Sequence, residues 1–139
     1  MPNRAAGLIA GTLLVSTAAF ADEGNATRGE AVYSSICAAC HALDANRIGP
    51  RHRGVFGRRA ASVPDFSYSP ALRQSGVVWD AAALDRWLTS PQQFIPGQKM
   101  DFSLTDAQKR ADVIAYLRQL SSRPTVASAG GNAPRQKPD

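Results

Sequence analysis

Cysteine, histidine and methionine are scarce in this sequence, two of each in 139 residues, and the scarcity limits its chemistry. A structural zinc site would need two ligands beyond the cysteine pair, and only His41 and His52 are on offer. Nowhere do five or six like charges stand together, so there is no basic arm for nucleic acid; the formal net charge of +5 is dispersed. There is no internal repeat, and no alternating run long enough to claim a sheet. After the N-terminal segment, no apolar run approaches the roughly 20 residues a spanning helix needs. What is present is ordinary globular material, 44% hydrophobic and 19% charged, which argues against disorder.

The chain divides by composition into three parts. Residues 1–21 carry Arg4, the apolar run Gly7–Val15 and an Ala19-Phe20-Ala21 triplet. That is the order of a secretory signal peptide, and the apolar run is too short for a membrane anchor, so cleavage is expected after Ala21. Without Arg4 the basic residues fall from 16 to 15 against 11 acidic ones, a net charge of +4. Residues 22–123 form the expected domain. Residues 124–139, rich in Ser, Pro, Gly, Ala and Gln, have no face to bury and are expected to be a flexible tail.

Two cysteines in an exported chain would ordinarily suggest a disulfide. Here they stand in Cys37-Ala38-Ala39-Cys40-His41, and Cys-x-x-Cys-His is the attachment signature of c-type haem. On one helical turn, two sulfurs three residues apart can each form a thioether with a haem vinyl group. The adjacent His41 is then brought under the iron as proximal ligand. A thioredoxin-like pair would need a preceding strand and a βαβ context, for which the pattern gives no support.

The remaining pattern is helical. Thr27-Arg28-Gly29-Glu30 fits a capping box that opens a helix delivering Cys37. Ser69-Pro70 opens a short helix that Gly76 stops. Asp80 caps a third, with Leu84, Trp87 and Leu88 on one face, ended by Pro91. Thr105-Asp106-Ala107-Gln108 opens the last, whose apolar stripe is Val113, Ile114, Leu117 and Leu120. The expected fold is all-α, four to five short helices around one covalent haem.

The second axial ligand decides what a haem does. Met1 leaves with the signal segment, so only Met100 can supply a thioether. It follows a helix stop and a Pro96-Gly97 turn, a place less suited to core filler than to a ligand. A His/Met pair, His41 and Met100, raises the reduction potential and closes both faces of the iron, which leaves electron transfer. If Met100 does not bind, a gas-binding or peroxidase-like haem protein is the alternative, although His52, the only spare acid–base candidate, lies in the wrong stretch. A cytochrome subunit of a larger oxidoreductase is a second alternative. His52, between Arg51 and Arg53, is expected to be a solvated loop residue.

These residues together resemble a class I cytochrome c of the mitochondrial and bacterial cytochrome c2 type. The similarity runs from about Gly29 to Leu120. Its landmarks are the Cys37–His41 motif, Ile48-Gly49-Pro50, Gly54-Val55-Phe56-Gly57-Arg58, Phe66-Ser67-Tyr68, Trp79, Trp87 and residues 91–102. The resemblance implies that the Pro50 carbonyl meets the far nitrogen of His41, fixing the ring and raising its basicity. It places Arg58, Tyr68, Trp79 and Gln98 at the haem propionates, whose burial would be costly without partners. Phe102 would lie over the haem near Met100 and limit water access. Gly29 and Tyr116 would mark the crossing of the first and last helices. It further implies an electron carrier rather than an enzyme, soluble, periplasmic and monomeric. Its partners would be a redox protein donor and acceptor, such as a membrane oxidase, a cytochrome bc1-type complex or a periplasmic dehydrogenase.

The chain also departs from that family. Leu72 stands where an Asn usually joins a polar network. Trp87 replaces a Tyr whose hydroxyl reaches the methionine sulfur, and an indole N–H donates but cannot accept. Gln92 and Gln93 replace common lysines, leaving Lys99, with Arg28, Arg47 and Arg51, near the expected haem edge. A weaker acidic patch on the partner is the expected consequence.

Overall fold

A computed structural model describes residues 23–122; the expected signal segment and tail lie outside them. Five helices follow in order: α1 (Ala26–Ser35), α2 (Pro70–Gln74), α3 (Ala81–Thr89), α4 (Pro91–Phe94) and α5 (Ala107–Ser122). A 3-10 turn, Cys37–Ala39, continues from the end of α1. The described residues contain no strand, only an isolated bridge between Arg59 and Val78. The all-α expectation holds, and no helix among the described residues is long and apolar enough to cross a membrane.

Two helix starts differ from expectation, one for a tertiary and one for a local reason. α1 is capped by Asn25, not Thr27: the Asn25 side chain accepts from Arg28 N at 3.0 Å. Asn25 is itself anchored, because its N–H donates to Asp112 Oδ1 on α5 at 2.7 Å. At α5 the Asp106 carboxylate accepts from Lys109 N at 3.0 Å, while Gln108 turns to Asp112 instead of back to Thr105. At α1 a contact with another element outweighs the local capping box, whereas at α5 an i to i+4 contact within the helix takes Gln108 away from it. Ser69 and Asp80 cap α2 and α3 as expected, accepting from Leu72 N and Ala83 N. Pro91 does more than stop α3; it opens the single turn of α4.

α1 crosses α5 closely, and glycine allows it. A Cβ on Gly29 would sit 2.0 Å from Asp112 O and 2.9 Å from Tyr116 Cβ. Gly24 makes a second such approach, 1.9 Å from Ala111 O. Across the crossing, Arg28 pairs with Asp112, Nε to Oδ2 at 2.8 Å and Nη2 to Oδ1 at 2.9 Å. Arg28 therefore serves this joint rather than an unattached docking face. The core behind it gathers Tyr33, Trp79, Leu84, Trp87, Leu88, Ile95, Val113, Ile114, Tyr116, Leu117 and Leu120. The predicted stripe of α5 is wholly inside it.

Candidate haem site

The turn after α1 brings the attachment motif together. Cys40 N and His41 N both donate to Cys37 O, at 3.2 and 2.9 Å, so the three residues project from one tight loop. Cys37 is half-buried, Cys40 is exposed, and neither is in a disulfide. Burial pushes the Cys37 thiol up to about 11. A redox-active pair would need a depressed thiol, so the surroundings disfavour thioredoxin-like chemistry. Among the described residues there is no group of three or more His, Cys, Asp or Glu side chains able to hold a metal ion.

His41 is fixed on several sides. Its Nδ1 lies 2.8 Å from the Pro50 carbonyl, the contact expected from the motif, and in the Nδ1–H tautomer it donates there. Gly49 N donates to Cys40 O at 2.9 Å, drawing the two loops together. A Cβ on Gly49 would fall 2.1 Å from His41 Cε1, 2.5 Å from Nδ1 and 2.6 Å from Nε2. Those distances set it over the ring face, so only glycine admits the imidazole. Burial lowers the His41 pKa, and the Pro50 contact offsets this in part. With Nδ1 engaged, Nε2 is the nitrogen left for a metal.

His52 is not the solvated loop residue expected. Its N–H donates to Ala42 O at 3.0 Å, and Arg53 N–H to Leu43 O at 2.8 Å. Arg53 reaches the exposed Asp44, whereas the His52 ring stacks on His41, centroids 3.8 Å apart and planes at 21°. Its Nδ1 is buried with no hydrogen-bond partner among the described residues. Burial, then the nearby His41 and Arg58, hold its pKa well below the usual histidine value. No local signal in Arg51-His52-Arg53 marks this placement, which contacts with the attachment turn and α1 decide.

Met100 is held from two directions. Trp87, buried on α3, donates its indole N–H to Met100 Sδ at 3.2 Å. This answers the loss of the tyrosine hydroxyl: the indole supplies a donor in its place. Gln98 is buried beside it, donating Nε2 to Met100 O at 2.9 Å and accepting from Met100 N–H through Oε1. Its amide thus clamps the methionine backbone, which the sequence did not disclose; one N–H of that amide remains for the propionate role first expected.

Around these residues the structure groups most of the others singled out in the sequence. Trp79 meets Trp87 edge to face, centroids 5.2 Å apart. Gly57 N donates to Trp79 O and Trp79 N to Arg58 O, both at 2.9 Å, which sets Arg58 next to Trp79 along the chain path. Arg58 donates to Arg53 O and Arg51 O, each at 3.0 Å. Burial lowers its pKa, the neighbouring Tyr68 counters this, and Arg51 adds to it. Burial likewise raises the Tyr68 phenol against a Val63 backbone hydrogen bond and the Arg58 and Arg51 charges. Arg58 and Tyr68 therefore share one site. Phe102 is 41% exposed, and Ile48, beside Gly49, is 80% exposed. Arg47 braces the attachment turn through Ala38 O at 2.7 Å. Leu72 packs against the core.

The donor set fits haem c: two unpaired thiols on one turn, an imidazole with Nδ1 committed to a carbonyl, and a thioether carrying a hydrogen bond. An all-α domain so equipped is a c-type haem protein. Comparison with known proteins agrees. The family model described as cytochrome c matches residues 26–121. Cytochrome c type-1 of Ascaris suum is 39% identical over 105 residues, 73% of this chain and 94% of that protein. Cytochrome c2 of Rhodomicrobium vannielii is 40% identical over 114 residues, 79% of this chain and 90% of that protein. Among solved structures, cytochrome cH from Methylobacterium extorquens superposes with a TM-score of 0.66 at 40% identity, covering 69% of this chain and 99% of that one. Ferricytochrome c2 from Rhodopseudomonas palustris gives 0.65 at 36% identity, with 69% and 98% covered. The chain belongs to the cytochrome c family, whose members are electron carriers rather than enzymes. Cys37 and Cys40 are the two residues that carry its covalent haem c.

Proposed function

We propose that this chain is a periplasmic single-electron carrier in which His41 and Met100 are the axial ligands. The observation that carries the reading is the Trp87 N–H aimed at Met100 Sδ at 3.2 Å. A thioether sulfur has two lone pairs. One accepts from the indole, and the other is left for iron, while the Gln98 clamp restrains the backbone that presents it. When bound, the haem supplies the one-electron couple. His41 and Met100 would hold it and exclude other ligands, and a soft sulfur would favour the ferrous state. Arg58, Tyr68 and Trp79 supply donors and charge for the propionates, with the spare N–H of Gln98. Phe102, exposed two residues beyond Met100, would limit water access to the haem.

The periplasmic assignment rests on the signal-like residues 1–21, with the mature chain beginning at Asp22. The bacterial relatives named cytochrome c2 and cH lend support. Its partners are a redox protein donor and acceptor, met by a monomer.

Carbon monoxide tests the ligation. The reduced native protein should not bind it at neutral pH, and Met100→Ala should. Ready binding by the unaltered protein would instead favour a gas-binding or peroxidase-like haem protein.

A further inference from the structure

Two polar atoms are buried without a partner among the described residues: Tyr33 Oη and His52 Nδ1. Their rings meet edge to face, with centroids 5.7 Å apart. Each such orphan costs roughly 1–3 kcal/mol when nothing satisfies it. Two on rings in contact call for a common explanation.

The neighbourhood supplies one. The Gly49 backbone covers one face of His41, since a Cβ there would overlap the ring. The stacked His52 ring, 3.8 Å away, must therefore cover the other face. Pro50 O takes Nδ1. The imidazole is thus held at an edge and on both faces, and the movable part of that enclosure is the His52 side chain. Its backbone is pinned by the Ala42 pairing, so its ring angle depends on what holds the ring itself. Behind it stands Tyr33, on α1, packed in turn on Tyr116 of α5 at 5.5 Å.

We propose that His52 is a positioning residue for His41: stacked on the imidazole, it sets the ring's rotation about the iron bond, and Tyr33, in edge-to-face contact with it, holds it through a hydrogen-bonded water between Tyr33 Oη and His52 Nδ1, atoms that do not bond to each other directly. The link satisfies both orphans and ties the proximal ligand to the α1–α5 crossing. The proposal rests on His41 being the proximal ligand.

The ring-methyl resonances of the oxidised holoprotein read the proposal directly, because their order and spread depend on the plane of the axial imidazole. His52→Leu removes the flat face and should reorder or compress them and move the reduction potential. Tyr33→Phe, which removes one oxygen, should alter the same resonances although Tyr33 acts on His41 only through His52. The double variant should match His52→Leu alone. Should His52→Leu fail to mature, His52→Phe keeps a flat face without Nδ1 and should reproduce the Tyr33→Phe pattern.

Several results would overturn the proposal. They are an unchanged methyl pattern in Tyr33→Phe or in His52→Leu, or effects of the two that simply add. A His52→Phe pattern unlike that of Tyr33→Phe would do the same. A wild-type spectrum without the resonances of an axial imidazole would instead remove His41 as ligand, which separates failure of that reading from failure of this one.

Discussion

Trp87→Phe is the substitution that most directly probes how this carrier differs from its relatives. Phenylalanine keeps an aromatic ring near Trp79 and deletes the indole N–H that lies 3.2 Å from Met100 Sδ. A hydrogen bond of this kind contributes about 1 kcal/mol net. Its effect on the couple has a definite sign. An N–H aimed at sulfur draws electron density from it, and ferric iron, the state more in need of a donor, loses more by that withdrawal. The bond therefore favours the ferrous state, and deleting it should lower the reduction potential. If the whole ~1 kcal/mol were differential between the two states, a one-electron couple at about 59 mV per tenfold change would move by ~40 mV.

A fall of about 20–40 mV is accordingly expected. It is read by voltammetry of the holoprotein, with the sulfur-to-iron charge-transfer band showing that the thioether is still bound. Trp87→Tyr, which exchanges the N–H for a hydroxyl, should recover part of the fall. A potential that is unchanged or raised in Trp87→Phe, with the band intact, would refute the reasoning. Ring truncation also removes buried surface, so a loss of thermal stability is expected alongside and does not bear on the sign.

Other expectations follow from the fold and the surface. Asp112 is held down to about 2 by the Arg28 hydrogen bonds first, opposed by burial and helped by Asn25 and Gln108. Its folded value is below the ordinary 3.8, so its stabilisation is complete above about 3.8 and lost as pH falls towards about 2. With a discount for the half-exposed Arg28, that is about 1–2 kcal/mol; Asp112→Asn should lose it at neutral pH and flatten the acid limb of a denaturation series. Gly49→Ala drives a Cβ to 2.1 Å from His41 Cε1, and should sharply reduce the yield of holoprotein with a normal visible spectrum per mole of chain. Gln92 and Gln93 are exposed and uncharged, so electron-transfer rates with an acidic partner should fall only shallowly with added salt; a steep fall in stopped-flow rates would contradict that.

The legibility of this molecule from its sequence follows a physical divide. Contacts made within a few residues could be read: the Ser69 and Asp80 caps, the Val113–Leu120 stripe, the turn that joins Cys37 to His41. Contacts selected by a distant element could not. Asn25 displaces Thr27 as cap because Asp112, 87 residues away, takes its N–H. Gly24 is needed only because α5 passes there. The Met100 position was accessible as a ligand candidate, yet the Gln98 amide that clamps its backbone was not, since both residues lie in irregular chain without a period to read. His52 was misread because its burial comes from the His41 and Tyr33 rings, contacts that nothing in the Arg51-His52-Arg53 stretch announces.

The two proposed ligands are held on unequal terms, which bears on where such a carrier would yield. His41 is one residue from Cys40, so the covalent attachment itself keeps the imidazole close, and Gly49, Pro50 and His52 merely aim it. Met100 has no such tether. Its approach depends on an indole N–H, on two hydrogen bonds to a single buried glutamine and on packing against the core. Each of those contributes about 1 kcal/mol, and they are lost together if residues 96–102 swing away. Exchange of a ligand should therefore begin at the methionine, and α3 controls it, because Trp87 sits on that helix while Met100 does not. Trp87 thus lies at the weaker of the two supports, where, with Met100 as ligand, a small change in one donor would shift both the potential and the hold on the iron.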